Sequence, residues 1–304
     1  MTREISLFLF HCEIEKNLNL KTIKAYTSDL NQFNLFIDYK DVKEINKDDL
    51  KAYFLELSTY ASRTIKRKIA TLKAFFSHLE FEEEIDLNPF RKVRIKIKLD
   101  TLLPNTLTIV EISSILQNAY NYKSKLIDTS AYVYKEITRN IAILELLLAS
   151  GMRVSELCSL QLKNVSSDYS SVKIMGKGSK ERIIPITNAA TQRALEENYT
   201  LFKSEIHNTS FMFINRFGKA LSEQSVRFMV KKHAKLARIK RTITPHVFRH
   251  SFATLLLEED VDIRYIQHFL GHSSISVTEI YTHVNEKKKK ELLTIKNPRN
   301  FIAL

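Results

Sequence analysis

Tryptophan is absent from this chain of 304 residues, and cysteine occurs only at Cys12 and Cys158. Two isolated thiols make neither a disulfide framework nor a Cys-x-x-Cys metal site, and they suit a reducing compartment. Glycine and proline number five each, so loops should be scarce and helix abundant. No apolar run approaches the roughly 18 residues of a membrane span. The opening MTREISLFLFHCEIEK interrupts its short apolar patch with His11 and Glu13, which argues against a secretory leader. These absences point to a cytoplasmic protein with no membrane partner, long enough for two domains with cores of their own.

What is present is positive charge. Lys and Arg total 47 against 34 Asp and Glu, a formal +13. The excess is uneven: residues 1–100 carry 18 basic against 16 acidic side chains, leaving +11 to the remainder. Basic residues spread over several separate elements suit a nucleic acid better than an anionic membrane surface.

Residues 1–90 repeat apolar positions at three- and four-residue intervals in four segments, a helical unit. The fourth segment carries Arg63, Lys66, Arg67, Lys68 and Lys73 with no intervening acid. A solvated face usually mixes signs, so this stripe is expected to meet phosphates. Asn88-Pro89 ends the unit, and RKVRIKIK (Arg91 to Lys98, with Arg94 and Lys96) reads as a basic linker over 91–105; an exposed edge strand is the plainer alternative. The second unit, 106–304, begins with helices over Ile109–Tyr120 and Tyr134–Ala149, the latter closed by Gly151. SVKIMGKGSKERIIPI (Ser171 to Ile186) reads as a β-hairpin turning at Gly-Lys-Gly, and Phe211–Ile214 as a candidate for a further short strand. RFMVKKHAKLARIKR (Arg227 to Arg241) is an acid-free basic helix; Lys231, Lys235 and Arg241 are its candidate DNA contacts.

LGHSSISVTEIYTHV (Leu270 to Val284) raises the chemical question. Gly271 stops a helix whose apolar positions are Ile263, Ile266 and Leu270. Ser276 to Glu279 is a capping box, stapled by Ile275 and Ile280, that starts another. His272 therefore falls in a short loop and Tyr281 on the following helix. Elsewhere Arg153 follows Gly151, Lys177 sits at the hairpin turn, and His246 and Arg249 share one face of a helix opened by Pro245. A phosphodiester in transfer presents two charged oxygens, which two guanidinium forks match. Such chemistry also needs a nucleophile, a proton acceptor and a donor to the leaving oxygen, and Tyr281, the histidines and Lys177 are the candidates. Plainer roles exist: Arg153 could pair with Glu156 on the surface, Lys180 and Arg182 rival Lys177, and His250 points about 100° from Arg249 around its helix. Tyr199 and Tyr265 read as packing residues.

GMRVSEL, GKGSKER, HVFRHSFATLLLE and LGHSSISVTEIYTHV together resemble the tyrosine recombinases of the phage-integrase family, and most of all their compact Xer type. Weaker similarity in TIKAYTSDLNQF and SRTIKRKIATLKAFF extends the resemblance over nearly the whole chain. It implies a mainly α fold, a two-domain clamp on duplex DNA. Residues 1–90 would be a SAM-like core-binding domain and 106–304 a mixed α/β catalytic domain with a small antiparallel sheet. It implies Arg153, Lys177, His246, Arg249, His272 and Tyr281 as catalytic residues, with Glu156 as a supporting acid. It implies attack by Tyr281, a 3′-phosphotyrosine, and strand exchange through a four-way junction. The partners would be double-stranded DNA with a specific site and a homo-tetramer, or a hetero-tetramer with a related recombinase. Neither metal nor nucleotide cofactor is implied, because the phosphotyrosine conserves the bond energy. Asn297-Pro298-Arg299 departs from the His-Pro-Arg of many Xer members.

The alternatives are an inert basic DNA-binding regulator and a type IB topoisomerase-like enzyme. A two-metal nuclease would need clustered carboxylates, which the motifs lack. A zinc site from His246, His250 and His272 has no supporting ligand pattern. The tail 285–304, basic at Lys287 to Lys290 and then apolar, is expected to dock on a neighbouring subunit.

Overall fold

Asparagine writes two of the first helix starts. The Asn19 side chain accepts from the backbone N–H of Lys21, and Asn46 from those of Asp48 and Asp49, with Asp49 returning a bond to the Asn46 backbone. In the computed structural model, which describes residues 1–95, 105–175 and 181–271, the chain divides into two compact units, Met1–Leu102 and Leu103–Leu304. The first holds α1 (Thr2–Ile14), α2 (Leu20–Phe36), α3 (Lys47–Glu56) and α4 (Ser62–Phe81). Phe8, Phe33, Tyr53, Phe75 and Phe76 interlock in its core, with ring centroids 5.0–6.1 Å apart in the edge-to-face pairs. A 3₁₀ turn, Pro89–Lys92, closes the described part of this unit.

The second unit is built on α6 (Tyr132–Ser150), which is buried all round from Ile137 to Leu147, its apolar side chains interrupted by Thr138, Arg139, Asn140 and Glu145. Around it are α5 (Ile109–Ser124), α7 (Val154–Cys158), α8 (Ala189–Leu201), α9 (Lys203–Thr209), α10 (Glu223–Leu236), α11 (Pro245–Glu258) and α12 (Ile263–Leu270). Strands β1 (Ser171–Met175) and β2 (Glu181–Pro185) pair antiparallel, Ser171 opposite Pro185 and Met175 opposite Glu181. Their burial alternates, so Val172, Ile174, Arg182 and Ile184 face inward. Phe211–Ile214 does not form a strand: it makes single bridges, Gln161 to Phe211 and Ile214 to Ala220. Too few residues pair in register there for a ladder. No helix among the described residues is long and apolar enough to cross a membrane.

Candidate active site

Helix α6 ends at Gly151, whose φ of +58° is left-handed and whose added Cβ would stand 2.4 Å from Phe252 Cδ1. The chain reverses through buried Met152 and starts α7 with Arg153 as its cap. The Arg153 backbone N–H donates to Glu156 Oε2 at 2.7 Å, placing a carboxylate at the helix start. Glu156, its side chain 7% exposed, also accepts from Arg153 Nη1 at 2.9 Å. Arg182, on the inward side of β2, adds a bidentate pair to the same carboxylate at 3.0 and 2.7 Å. Burial works to raise the Glu156 pKa, but the bonds from Arg182 and the Arg153 backbone, with both positive charges, hold it below the usual carboxylate range.

Pro245 occupies the first turn of α11, where its missing N–H costs nothing. His246 lies exposed beside it, and Arg249 follows one turn on, 4% exposed. Arg249 Nη1 donates to Gly151 O at 2.8 Å and Nη2 to Leu270 O at 2.7 Å. Arg153 reaches the same place: Nη1 to Leu270 O at 3.4 Å and Nη2 to Gly271 O at 3.3 Å. Arg182 Nε donates to Phe269 O at 2.9 Å. Three guanidiniums thus gather at the C-terminal carbonyls of α12, the negative end of a helix dipole. Partial burial, then the charges of Arg249, Arg227 and Arg153, lower the His246 pKa, so its imidazole is neutral at neutral pH. His250, half-buried further along the same helix, is shifted the same way by burial and by the charges of His246 and Arg249.

Arg153, Glu156, His246 and Arg249 are therefore brought together from separate stretches of the chain. Lys177, His272, Tyr281 and Lys96 lie outside the described residues, as do the hairpin turn, the Ser276 capping box and the tail. Their sequence neighbours do reach the cluster: Gly271 precedes His272, and β2 begins four positions after Lys177 in the sequence. Among the described residues no group of three or more His, Cys, Asp or Glu side chains could hold a metal ion.

The basic candidates divide. Arg63, Lys66, Lys73, Arg94, Lys231 and Lys235 are at least partly exposed. Lys68 is not: it is 4% exposed and bonds Asp29 Oδ1 at 2.9 Å and Gln32, while Arg67 pairs with the other oxygen of Asp29. Lys68 lies about 140° round α4 from Arg63 at 100° per residue, in phase with Leu72, Phe75 and Leu79. Arg241 is engaged within its own unit, donating to Asn105 Oδ1 at 2.9 Å, Thr106 O at 2.6 Å and Glu111 Oε2 at 2.7 Å. Tyr265 is 64% exposed on the outer side of α12, away from buried Ile266 and Leu270, and packs no core; Tyr199 packs against Tyr169 and bonds His207. Two participants escaped sequence reasoning. Arg227 proves close enough to His246 to act on its charge. Arg182, weighed only as a rival of Lys177, was signalled by strand alternation, which puts it on the same side as Ile184.

The described site is thus a set of arginines converging on the end of α12, two of them on the Leu270 carbonyl oxygen and one on that of Phe269, with a histidine of lowered pKa beside them. Comparison with known proteins gives it a family. A model described as the phage integrase family matches residues 107–288, and one described as the phage integrase N-terminal SAM-like domain matches residues 5–83. The chain belongs to the phage integrase family, the tyrosine recombinases. It is 44% identical to a tyrosine recombinase of Agathobacter rectalis over 97% of this chain and 96% of that one. It is 35% identical to the tyrosine recombinase XerC of Herpetosiphon aurantiacus over 95% and 92%. The XerH site-specific recombinase, solved bound to its difH substrate in a pre-cleavage complex, superposes with a TM-score of 0.73 at 25% identity, over 96% of this chain and 84% of that one. The protein is a site-specific DNA recombinase of Xer type, and neither the inert regulator nor the topoisomerase alternative is favoured.

Proposed function

We propose that the protein cuts and rejoins duplex DNA at a specific site through a 3′-phosphotyrosine at Tyr281. One observation carries the reading: Arg153 and Arg249, 96 positions apart in the chain, both donate to the single oxygen of Leu270. Two forks that meet at one carbonyl oxygen can meet at a phosphate oxygen. In the proposed reaction the Tyr281 phenol, with an ordinary pKa of about 10, loses its proton as its oxygen bonds phosphorus. Neutral His246 is suited to take part in that transfer, and His272 to support it. The bond from phosphorus to the 5′ oxygen breaks, and Lys177 supplies the proton that makes a free 5′-hydroxyl. Attack by a 5′-hydroxyl from the partner duplex reverses the sequence, so a four-way junction forms and resolves with neither metal nor nucleotide. Residues 1–90, the linker 91–105 and 106–304 serve as core-binding domain, tether and catalytic domain. Four subunits, alone or with a related recombinase, assemble on the DNA. Truncation after Glu291 should then leave single-site binding and abolish synapsis; recombination at the full rate without the tail would reject its role between subunits.

The test is a nicked suicide duplex carrying a site selected from random DNA by the protein itself, incubated with EDTA. Wild type should become covalently joined to DNA and Tyr281→Phe should not. A covalent complex formed equally by Tyr281→Phe would end the proposal.

A further inference from the structure

We propose that Arg182 is a positioning residue for strand cleavage: by neutralising Glu156 it leaves Arg153 with a positive charge to offer the scissile phosphate. This rests on the reading of Arg153 as a phosphate ligand.

Glu156 is a buried carboxylate faced by two guanidiniums. Arg182 takes both its oxygens, at 3.0 and 2.7 Å, and gives its Nε to Phe269 O at 2.9 Å, so all three of its nitrogens are committed to partners within the protein. Arg153 is 36% exposed and shares only Oε1 through its side chain, at 2.9 Å. The trio carries one net positive charge. Without Arg182 it would carry none, and the buried carboxylate would have Arg153 as its sole charged partner among these residues. An unmatched buried carboxylate is costly, so both its oxygens would draw the Arg153 fork inward, away from the phosphate. Arg182 also cannot stand in for Lys177 as a proton donor, because a guanidinium stays protonated.

Two further features fix Arg182 in this place. Its Nε bonds Phe269 O at 2.9 Å, which ties β2 to the C-terminal end of α12. Gly271 makes room for it: an added Cβ would lie 2.8 Å from Arg182 Nη1, at a φ of +63°. One side chain thus links Glu156, the hairpin and the end of α12.

The experiment is single-turnover cleavage at saturating DNA by wild type, Arg182→Met and the double variant Arg182→Met/Glu156→Gln. Each is tested on an ordinary phosphodiester and on a methylphosphonate at the scissile position, which has no anionic oxygen for Arg153 to stabilise. Arg182→Met should cleave the phosphodiester about 100-fold more slowly, the scale of losing one preorganised donor, with DNA affinity little changed. On the methylphosphonate it should come within about threefold of wild type, because the oxygen that Arg153 would neutralise has been replaced by a methyl group. Glu156→Gln added to Arg182→Met should restore about tenfold or more, since no carboxylate then competes for Arg153. An equal defect on both substrates, no defect, or no restoration by Glu156→Gln each overturns the proposal. If Arg182→Met alone fails to fold, Arg182→Lys replaces it; it keeps one charge and should show a smaller defect with the same substrate preference. Absence of cleavage by wild type would overturn the functional reading itself, whereas cleavage unaffected by Arg182→Met removes only the role of Arg182.

Discussion

Replacing Arg249 with lysine keeps the charge and removes the fork. The buried guanidinium spans two carbonyls from different helix ends, Gly151 O at 2.8 Å and Leu270 O at 2.7 Å. A lysine ammonium on its flexible stem can satisfy one of them. Leu270 O retains a longer bond from Arg153 at 3.4 Å, so Gly151 O is the better target for the new ammonium. One hydrogen bond to a charged group contributes about 1.5–3 kcal/mol, so Arg249→Lys should destabilise the second unit by about 2 kcal/mol. In a unit of this size each kcal/mol moves the melting midpoint by roughly 2–4 °C, giving a fall of about 4–8 °C. Calorimetry reads the stability, and single-turnover cleavage of the nicked duplex reads the chemistry. Cleavage should drop by about 10²- to 10³-fold, because a point charge cannot hold a phosphate oxygen bidentately. A midpoint within about 1 °C of wild type would refute the anchoring argument. Unchanged cleavage would refute the assignment of Arg249 to the phosphate.

Other expectations follow from the same geometry. Asp29→Asn strips the charged partner from buried Lys68 and should destabilise the first unit by about 3–5 kcal/mol in urea unfolding; a loss under about 1 kcal/mol would mean Gln32 suffices. His246 has a lowered pKa, so a requirement for its neutral form puts the acid limb of the cleavage-rate profile below about pH 6.5; a limb above that value would contradict the requirement. The same shift makes stability fall as pH drops through about 6.5 towards the folded-state value, because the unfolded chain binds the proton more readily. Lys231→Ala/Lys235→Ala should weaken binding to all sequences alike and reduce the slope of log affinity against log salt by about 2, one for each phosphate left without its lysine; an unchanged slope would place those exposed side chains away from DNA.

Most helices, the hairpin and the two glycine stops were legible because each is local: capping residues, apolar spacing and φ-tolerant glycines lie within a few positions of what they determine; the helix expected over Arg227 to Arg241 instead ends at Leu236, with Arg238 at a left-handed φ of +60° that no glycine announces. Gly151 and Gly271 mark the two boundaries at which Arg153 and Arg249 act, and both have left-handed φ. What escaped is the pairing of charges distant in sequence. Arg67 and Arg241 are bonded to acids 38 and 130 positions away, and no periodicity reports such partners. Lys68 and Arg182 are different. Their helical and strand phases place them inward, so the pattern held the answer, but positive charge was weighed above phase. Arg153, Lys177, His246, Arg249, His272 and Tyr281 stand out by their places at expected element boundaries as well as by motif resemblance, whereas the supporting role of Glu156 comes from the resemblance alone.

The hold of α12 on its arginines has a kinetic meaning. A free arginine side chain carries about 2 kcal/mol of rotamer freedom. Arg182 and Arg249 have surrendered theirs to the carbonyls of Gly151, Phe269 and Leu270 and to Glu156 before any DNA arrives. Ordering these donors therefore falls on folding, not on the encounter with a phosphate. On the proposed reading, what is left for the encounter is the adjustment of Arg153, the most exposed of the three, and the exchange of Leu270 O for a phosphate oxygen at Arg249.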